Sequence, residues 1–107
     1  QTRGLVNGEA IGRMKKTGIL INTARGALLD EEALYSALKD GRIACAALDA
    51  QVHEPMPHDS PFLELDNIIL TPHIGGASRD MIAQQTRIVM EDVRAFMEQG
   101  KPIHVVR

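Results

Sequence analysis

Three side chains in this sequence, Arg25, Glu54 and His73, suit the binding of an anion and the transfer of a proton. A guanidinium grips a carboxylate or a polarised carbonyl through two parallel hydrogen bonds, which lysine cannot match. Histidine exchanges its proton near neutral pH and is therefore the natural general acid or base. A carboxylate bound to an imidazole fixes its tautomer and favours its charged form. Together the three predict a site for an anionic substrate.

Short apolar runs precede these side chains and predict three strands, at residues 19–21, 43–48 and 68–70. Because the runs are continuously apolar, we expect strands buried on both faces, as in a parallel sheet. Asp49 follows the second run directly and is also a candidate for binding a ligand amide or hydroxyl. Open α/β sheets build their sites where strands end, so we expect these side chains to meet.

Three helices are predicted around the strands, with N-caps at Asn7, Asp30 and Ser78. The last is long and runs to about Gln99, with Gly100 as its stop, and residues 102–106 are predicted to be extended. Helices alternating with strands predict an α/β fold with right-handed crossovers and a parallel sheet. Three strands make only half of a doubly wound domain, so we expect a fragment of a larger protein.

Composition excludes several other classes of function. The net charge is −2 and the pI is near 6.1, which argues against nucleic-acid binding. No apolar run approaches the roughly 20 residues of a membrane span. Cys45 lies among alanines, so we expect a small buried residue that cannot form an internal disulfide, which fits the cytoplasm. His53, His58 and Asp59 lack the spacing of metal ligands, and no metal is expected.

Each candidate side chain also has a purely structural interpretation. Arg25 can pair with a loop acid or cap a carbonyl, and His73 can be a structural histidine. Glu54 can be a solvated acid in a proline-rich loop, and Asp49 can simply end a turn. Gly26 can admit a close ligand or serve turn chemistry. The combination of the three segments favours a site more strongly than any one residue does.

The sequence resembles the D-isomer-specific 2-hydroxyacid dehydrogenase family, which includes phosphoglycerate and glycerate dehydrogenases, almost throughout its length. The segments that carry the resemblance are Ile19–Gly26, Ala47–Asp49 with Glu54-Pro55, Asp66-Asn67 and Leu70–Gly76. The resemblance implies two α/β domains with the active site in the cleft between them. Residues 1–107 would then be a partial domain, the C-terminal half of a doubly wound, Rossmann-like nucleotide-binding domain. Residues 78–107 would form its long helix and the return towards the substrate domain.

The resemblance also implies roles for individual residues. Arg25 matches the substrate-binding arginine, Glu54 the carboxylate that pairs with the histidine, and His73 the acid/base. The implied contacts with the dinucleotide are Thr23, Ala24, Arg25, Asp49 (at the nicotinamide carboxamide), His73, Gly75 and Gly76. The sequence departs from the family locally, with Ala50-Gln51 where Val-Phe is usual, although the spacing from Asp49 to Glu54 is kept.

The implied function is reversible hydride transfer between NAD or NADP and a small D-2-hydroxy or 2-oxo acid, in a cytoplasmic homodimer. We expect the fragment to be inactive alone, since it lacks a glycine-rich phosphate loop and a substrate domain. The alternative is an NAD(H)-sensing regulatory protein of the same fold, similar to a corepressor. Retention of Arg25, Glu54 and His73 together favours the enzyme, because a sensor could lose any of them.

Overall fold

The computed structural model describes residues 2–105, which divide into two compact units on either side of the Ile74–Gly75 bond. The first unit contains helices α1 and α2 and strands β1, β2 and β3. Their bounds are Gly8–Gly12 (α1), Ile19–Asn22 (β1), Glu31–Lys39 (α2), Cys45–Leu48 (β2) and Ile68–Leu70 (β3). The second unit contains helix α3, Arg79–Gln99.

The sheet of the first unit is parallel throughout, with the strand order β1-β2-β3. Ala47 of β2 lies opposite Ile21 of β1 and Ile69 of β3. This confirms the predicted α/β class, and it aligns the three carboxyl ends of the strands at one edge. The proline-rich stretch between β2 and β3 includes a 3-10 turn at Pro61–Glu64.

The helices of the first unit begin where their capping residues predicted. The Asn7 side chain accepts a hydrogen bond from the Ala10 backbone N–H at 2.9 Å, and Asp30 accepts one from Ala33 at 3.0 Å. These bonds satisfy amides that a helix start leaves without intrahelical partners. Gly41, beyond the end of α2, has a φ of 62°, which suits a glycine after a helix.

The core of the first unit lies on one face of the sheet. Leu34 and Leu38 of α2 are buried together with Leu20, Ala46 and Leu48 of the strands. Each fully buried leucine of this kind contributes roughly 1.5–3 kcal/mol relative to an exposed one. The apolar side of α2 therefore packs against the sheet as part of the core.

The expectation that the strands are buried on both faces is wrong for the residues that the structure describes. Side chains alternate across a strand, and Ile19 and Ile21 point away from the core, with 59% and 68% of their surface exposed. Ile69 of β3 is likewise 67% exposed. Cys45 lies on this face and is half-buried rather than buried.

The second unit is the predicted long helix followed by a short segment. The Ser78 side chain caps α3 by accepting from the Met81 N–H, and Gly100 ends it with a φ of 72°. Asp92 Oδ1 then accepts hydrogen bonds from the N–H groups of Ile103 and His104, both at 2.9 Å. Residues 102–105 form no strand, and Val106 of the predicted extended piece lies outside the described residues.

Candidate active site

The loops after β2 and β3 bring a carboxylate and an imidazole into contact. Glu54 Oε2 lies 2.9 Å from His73 Nδ1, and both side chains are about one-third exposed (36% and 39%). The second oxygen, Oε1, accepts a hydrogen bond from the Gln51 backbone N–H at 2.9 Å. Glu54 is therefore held at both oxygens, and the His73 Nε2 atom remains on the side of the ring away from it.

The backbone of His73 adopts an uncommon conformation. Its φ is 55°, in the left-handed region, which histidine enters more readily than most side chains but still at a cost. The His73 N–H donates to the Thr71 carbonyl at 3.0 Å, and the next amide, of Ile74, donates to Asp49 Oδ1 at 2.8 Å. Non-glycine residues in this region persist where the surroundings fix them, and such positions cluster at functional sites.

Asp49 supports the His73 loop from within the protein. It is only 6% exposed, and its Oδ1 also accepts a hydrogen bond from the Thr71 hydroxyl at 2.6 Å. In the structure this carboxylate therefore fixes the turn that follows β3. Its implied contact with a nicotinamide carboxamide stays a prediction.

Arg25 lies just beyond the end of β1, in a loop that is held by the side chain of Asn22. The buried Asn22 side chain donates to the Arg25 carbonyl at 3.0 Å and accepts from the Ala24 N–H at 3.1 Å. The exposed Arg25 guanidinium donates through Nη1 to the Ala24 carbonyl at 2.7 Å. Thr23 is exposed as well, so this loop presents its side chains to solvent.

The charges of the site act on Glu54. The hydrogen bond from His73 lowers the pKa of the Glu54 carboxyl most, followed by the one from the Gln51 backbone. Burial opposes these two bonds by raising the pKa, and the positive charges of His73 and Arg25 lower it again by smaller amounts. His73 and Arg25, the two other predicted catalytic side chains, therefore both act on the Glu54 carboxyl. Gly75 and Gly76 are exposed at the start of the second unit, and their implied role stays a prediction.

A cavity of about 360 Å³ adjoins the pair. Its walls are Gln51, Glu54, Pro55, Met56, Leu70, Thr71, Pro72 and His73. The volume lies in the range of about 300–1,000 Å³ that ligand pockets occupy. Within residues 2–105 no group of three His, Cys, Asp or Glu side chains could hold a metal ion, and no helix could cross a membrane.

The lowered pKa of Glu54 predicts how the stability of the pair depends on pH. A carboxyl whose pKa is lower in the folded than in the unfolded state stabilises the fold above its unfolded-state pKa. That contribution is lost as the pH falls through the folded-state pKa. We therefore expect Glu54→Gln to be less stable than the parent at neutral pH and the difference to shrink in acid.

Carboxyl ¹³C NMR of Glu54, combined with urea unfolding of both proteins across the acidic range, measures this effect. Glu98→Gln, at an exposed position of α3, is the matched control. A Glu54 carboxyl that titrates at or above the ordinary value for glutamate would contradict the prediction.

Comparison with known proteins identifies relatives of the whole chain. A sequence model described as D-isomer specific 2-hydroxyacid dehydrogenase, NAD binding domain, matches residues 1–75. The glyoxylate reductase of Korarchaeum cryptofilum is 42% identical over 106 residues, which cover 99% of this chain and 32% of that protein. The D-3-phosphoglycerate dehydrogenase of Methanocaldococcus jannaschii is 47% identical over 97 residues, 91% of this chain and 18% of that protein. The chain thus spans roughly a third or less of these relatives.

Solved structures show the same architecture. An NADPH-dependent glyoxylate/hydroxypyruvate reductase from Sinorhizobium meliloti, in complex with citrate, matches with a TM-score of 0.86 at 32% identity. That match covers 99% of this chain and 34% of the reductase. An acyclic imino acid reductase in complex with NADPH and D-Arg matches with a TM-score of 0.87 at 34% identity, over 99% of this chain and 33% of that one.

Proposed function

Because the chain belongs to the D-isomer-specific 2-hydroxyacid dehydrogenase family, we propose that the complete protein transfers a hydride between a nicotinamide cofactor and a D-2-hydroxy or 2-oxo acid. The observation that carries the proposal is the contact of 2.9 Å between Glu54 and His73 at the carboxyl ends of β2 and β3. The relatives named above are dehydrogenases and reductases, and nothing among them favours the regulatory alternative.

The proposal treats residues 1–107 as part of a larger protein. The family match, which names the NAD binding domain, supports their place as the C-terminal half of a nucleotide-binding domain. Residues 78–107 would then supply the long helix and the return towards a substrate domain. The Rossmann-like, doubly wound sheet of the complete domain would continue beyond β1.

The proposed mechanism assigns one task to each side chain. The nicotinamide cofactor, when bound, supplies the hydride. In reduction, protonated His73 gives the proton on Nε2 to the alkoxide oxygen that develops at C2, while Glu54 holds Nδ1. Arg25 grips the carboxylate and carbonyl oxygen, which stabilises charge where it grows. In oxidation His73 removes the hydroxyl proton as a general base.

The position of a cavity supports the proposal of a nicotinamide cofactor. His73 and Glu54 adjoin a cavity at the strand ends, where open α/β sheets hold dinucleotides. We propose that Thr23, Ala24, Arg25, Asp49, His73, Gly75 and Gly76 contact the NAD or NADP. We also propose that the complete protein is a homodimer, because the family that it resembles usually forms one. We propose that it lies in the cytoplasm, because its single cysteine cannot form an internal disulfide.

The decisive test is turnover by the full-length protein. NADH and NADPH oxidation is measured against hydroxypyruvate, glyoxylate, pyruvate and phosphohydroxypyruvate. We expect turnover on at least one of these acids, which also names the substrate class. Absence of turnover on all four, together with measurable NADH binding, would contradict the proposal and favour a nucleotide sensor.

The isolated 107-residue chain is expected to show no turnover on any of these acids. It carries the proposed acid/base and arginine, but no sequence motif within it cradles a pyrophosphate. The measurement is the same cofactor-oxidation assay on the purified chain, beside the full-length protein at equal concentration. Clear activity of the isolated chain would contradict the proposal that catalysis also needs a phosphate-binding loop and a substrate domain from the rest of the protein.

A further inference from the structure

The loops that carry Glu54 and His73 are joined by a buried amide side chain. Gln51 is only 8% exposed, and its Nε2 donates to the carbonyls of Leu48 at 3.0 Å and Thr71 at 3.2 Å. Leu48 is the last residue of β2, and Thr71 follows the last residue of β3. The two hydrogens of this amide therefore bridge the ends of neighbouring strands.

Both carbonyls belong to the network that shapes the His73 turn. The Leu48 carbonyl also accepts from the Thr71 N–H at 3.0 Å, and the Thr71 carbonyl also accepts from the His73 N–H at 3.0 Å. The Gln51 side chain thus binds the Thr71 carbonyl, the same acceptor that fixes the left-handed backbone of His73. Its own backbone N–H holds Glu54 Oε1 at 2.9 Å. Gln51 therefore contacts Glu54 directly and contacts His73 through the Thr71 carbonyl.

We propose that Gln51 is a positioning residue that fixes the His73 imidazole against the Glu54 carboxylate through its hydrogen bonds to Leu48 and Thr71. The inference deepens the proposed dehydrogenase function and rests on it. An apolar side chain at this position could not donate to these two carbonyls, so the proposed bridge depends on the amide of Gln51.

The consequence is a specific pattern in the rates. A misplacement of about 1 Å in a catalytic group can cost about 10²-fold in rate. Gln51→Met removes both amide donors and keeps the length and volume of the side chain. We expect it to lower kcat about tenfold or more. The same substitution in a Glu54→Gln protein should lower kcat less than twofold, because the alignment that Gln51 maintains is already lost.

The experiment is this double-mutant cycle in the full-length protein, with Gln84→Met on the exposed surface of α3 as the matched control. Unequal losses in the two backgrounds support positioning. Equal losses, or no loss in either background, would show a structural role only and overturn the inference. A parent protein without turnover instead refutes the proposed function, which separates the two failures.

A second measurement needs no turnover. Carboxyl ¹³C NMR is expected to show the Glu54 pKa rising towards its ordinary value in Gln51→Met and remaining lowered in Gln84→Met. An unchanged Glu54 pKa would overturn the inference even if activity fell. Should Gln51→Met fail to fold by circular dichroism, Gln51→Asn, shorter by one methylene, takes its place with the same expectations.

Discussion

Replacing His73 with asparagine is expected to lower kcat of the complete protein about 10²–10⁴-fold, the usual contribution of a general acid or base. Asparagine cannot donate and recover a proton near neutral pH, so the developing alkoxide would lose its acid. The choice of asparagine matters because the backbone φ of His73 is 55°. Asparagine tolerates the left-handed region, so the substitution removes the chemistry while keeping the turn.

The measurement is steady-state kinetics on whichever 2-oxo acid the parent reduces, in both directions of the reaction. His58→Asn, at an exposed histidine of the loop between β2 and β3, is the matched control and should leave kcat unchanged. Thermal unfolding of both variants excludes loss of the fold as the cause. A His73→Asn protein that keeps more than a tenth of parental kcat would contradict the assignment of the acid/base.

Much of the fold was predictable because its signals are local. The run Ile68–Leu70 matches β3 residue for residue, and Asp30 and Ser78 cap the helices that they were expected to start. A cap needs only a side-chain oxygen and the next turn of backbone, so the sequence contains all of its parts. The parallel pairing of β1 with β2 agrees with the helix α2 between them, whereas β3 joins the sheet in parallel after a connection that contains only a 3-10 turn.

Burial was less predictable because it depends on what packs against each face. The continuous apolar runs correctly indicate that both sides of β1 are apolar, since Ile19 and Ile21 alternate with Leu20. Within the described residues of the first unit, however, the core cluster lies on the side of Leu20 alone. Apolar character shows that a face can be covered, and only the packed structure shows whether it is.

The site divides in the same way. Arg25, Glu54 and His73 were identifiable because their side chains are of types that bind anions or transfer protons. Each also follows a predicted strand, which places it at the carboxyl edge of the sheet. Asn22 and Gln51 gave no such signal, since an amide side chain acts through whichever carbonyls the fold places within reach. For Gln51 the partners are 3 and 20 positions away in sequence. Its departure from the family pattern was the one available clue.

Replacing Gly26 with alanine is expected to destabilise the first unit by about 3 kcal/mol, at the upper end of the usual cost of overpacking. A Cβ atom on Gly26 would lie 2.0 Å from the carbonyl carbon of Gln51 and 2.3 Å from the Val52 nitrogen. Both are backbone atoms, so no side chain can rotate to make room. Gly26 therefore permits the close packing of two loops, a role that the sequence did not indicate.

Urea unfolding compares Gly26→Ala with Gly12→Ala, whose added Cβ would meet no atom within 4 Å. Gly12 is the last residue of α1, and alanine is the better helix former, so this control should be at least as stable as the parent. The displaced segment also carries the Gln51 N–H that holds Glu54, and the Glu54 pKa should therefore rise in Gly26→Ala alone. Equal stability of the two variants would show that Gly26 is not packed as described. Lost stability with an unchanged Glu54 pKa would show that the segment moves without disturbing the pair.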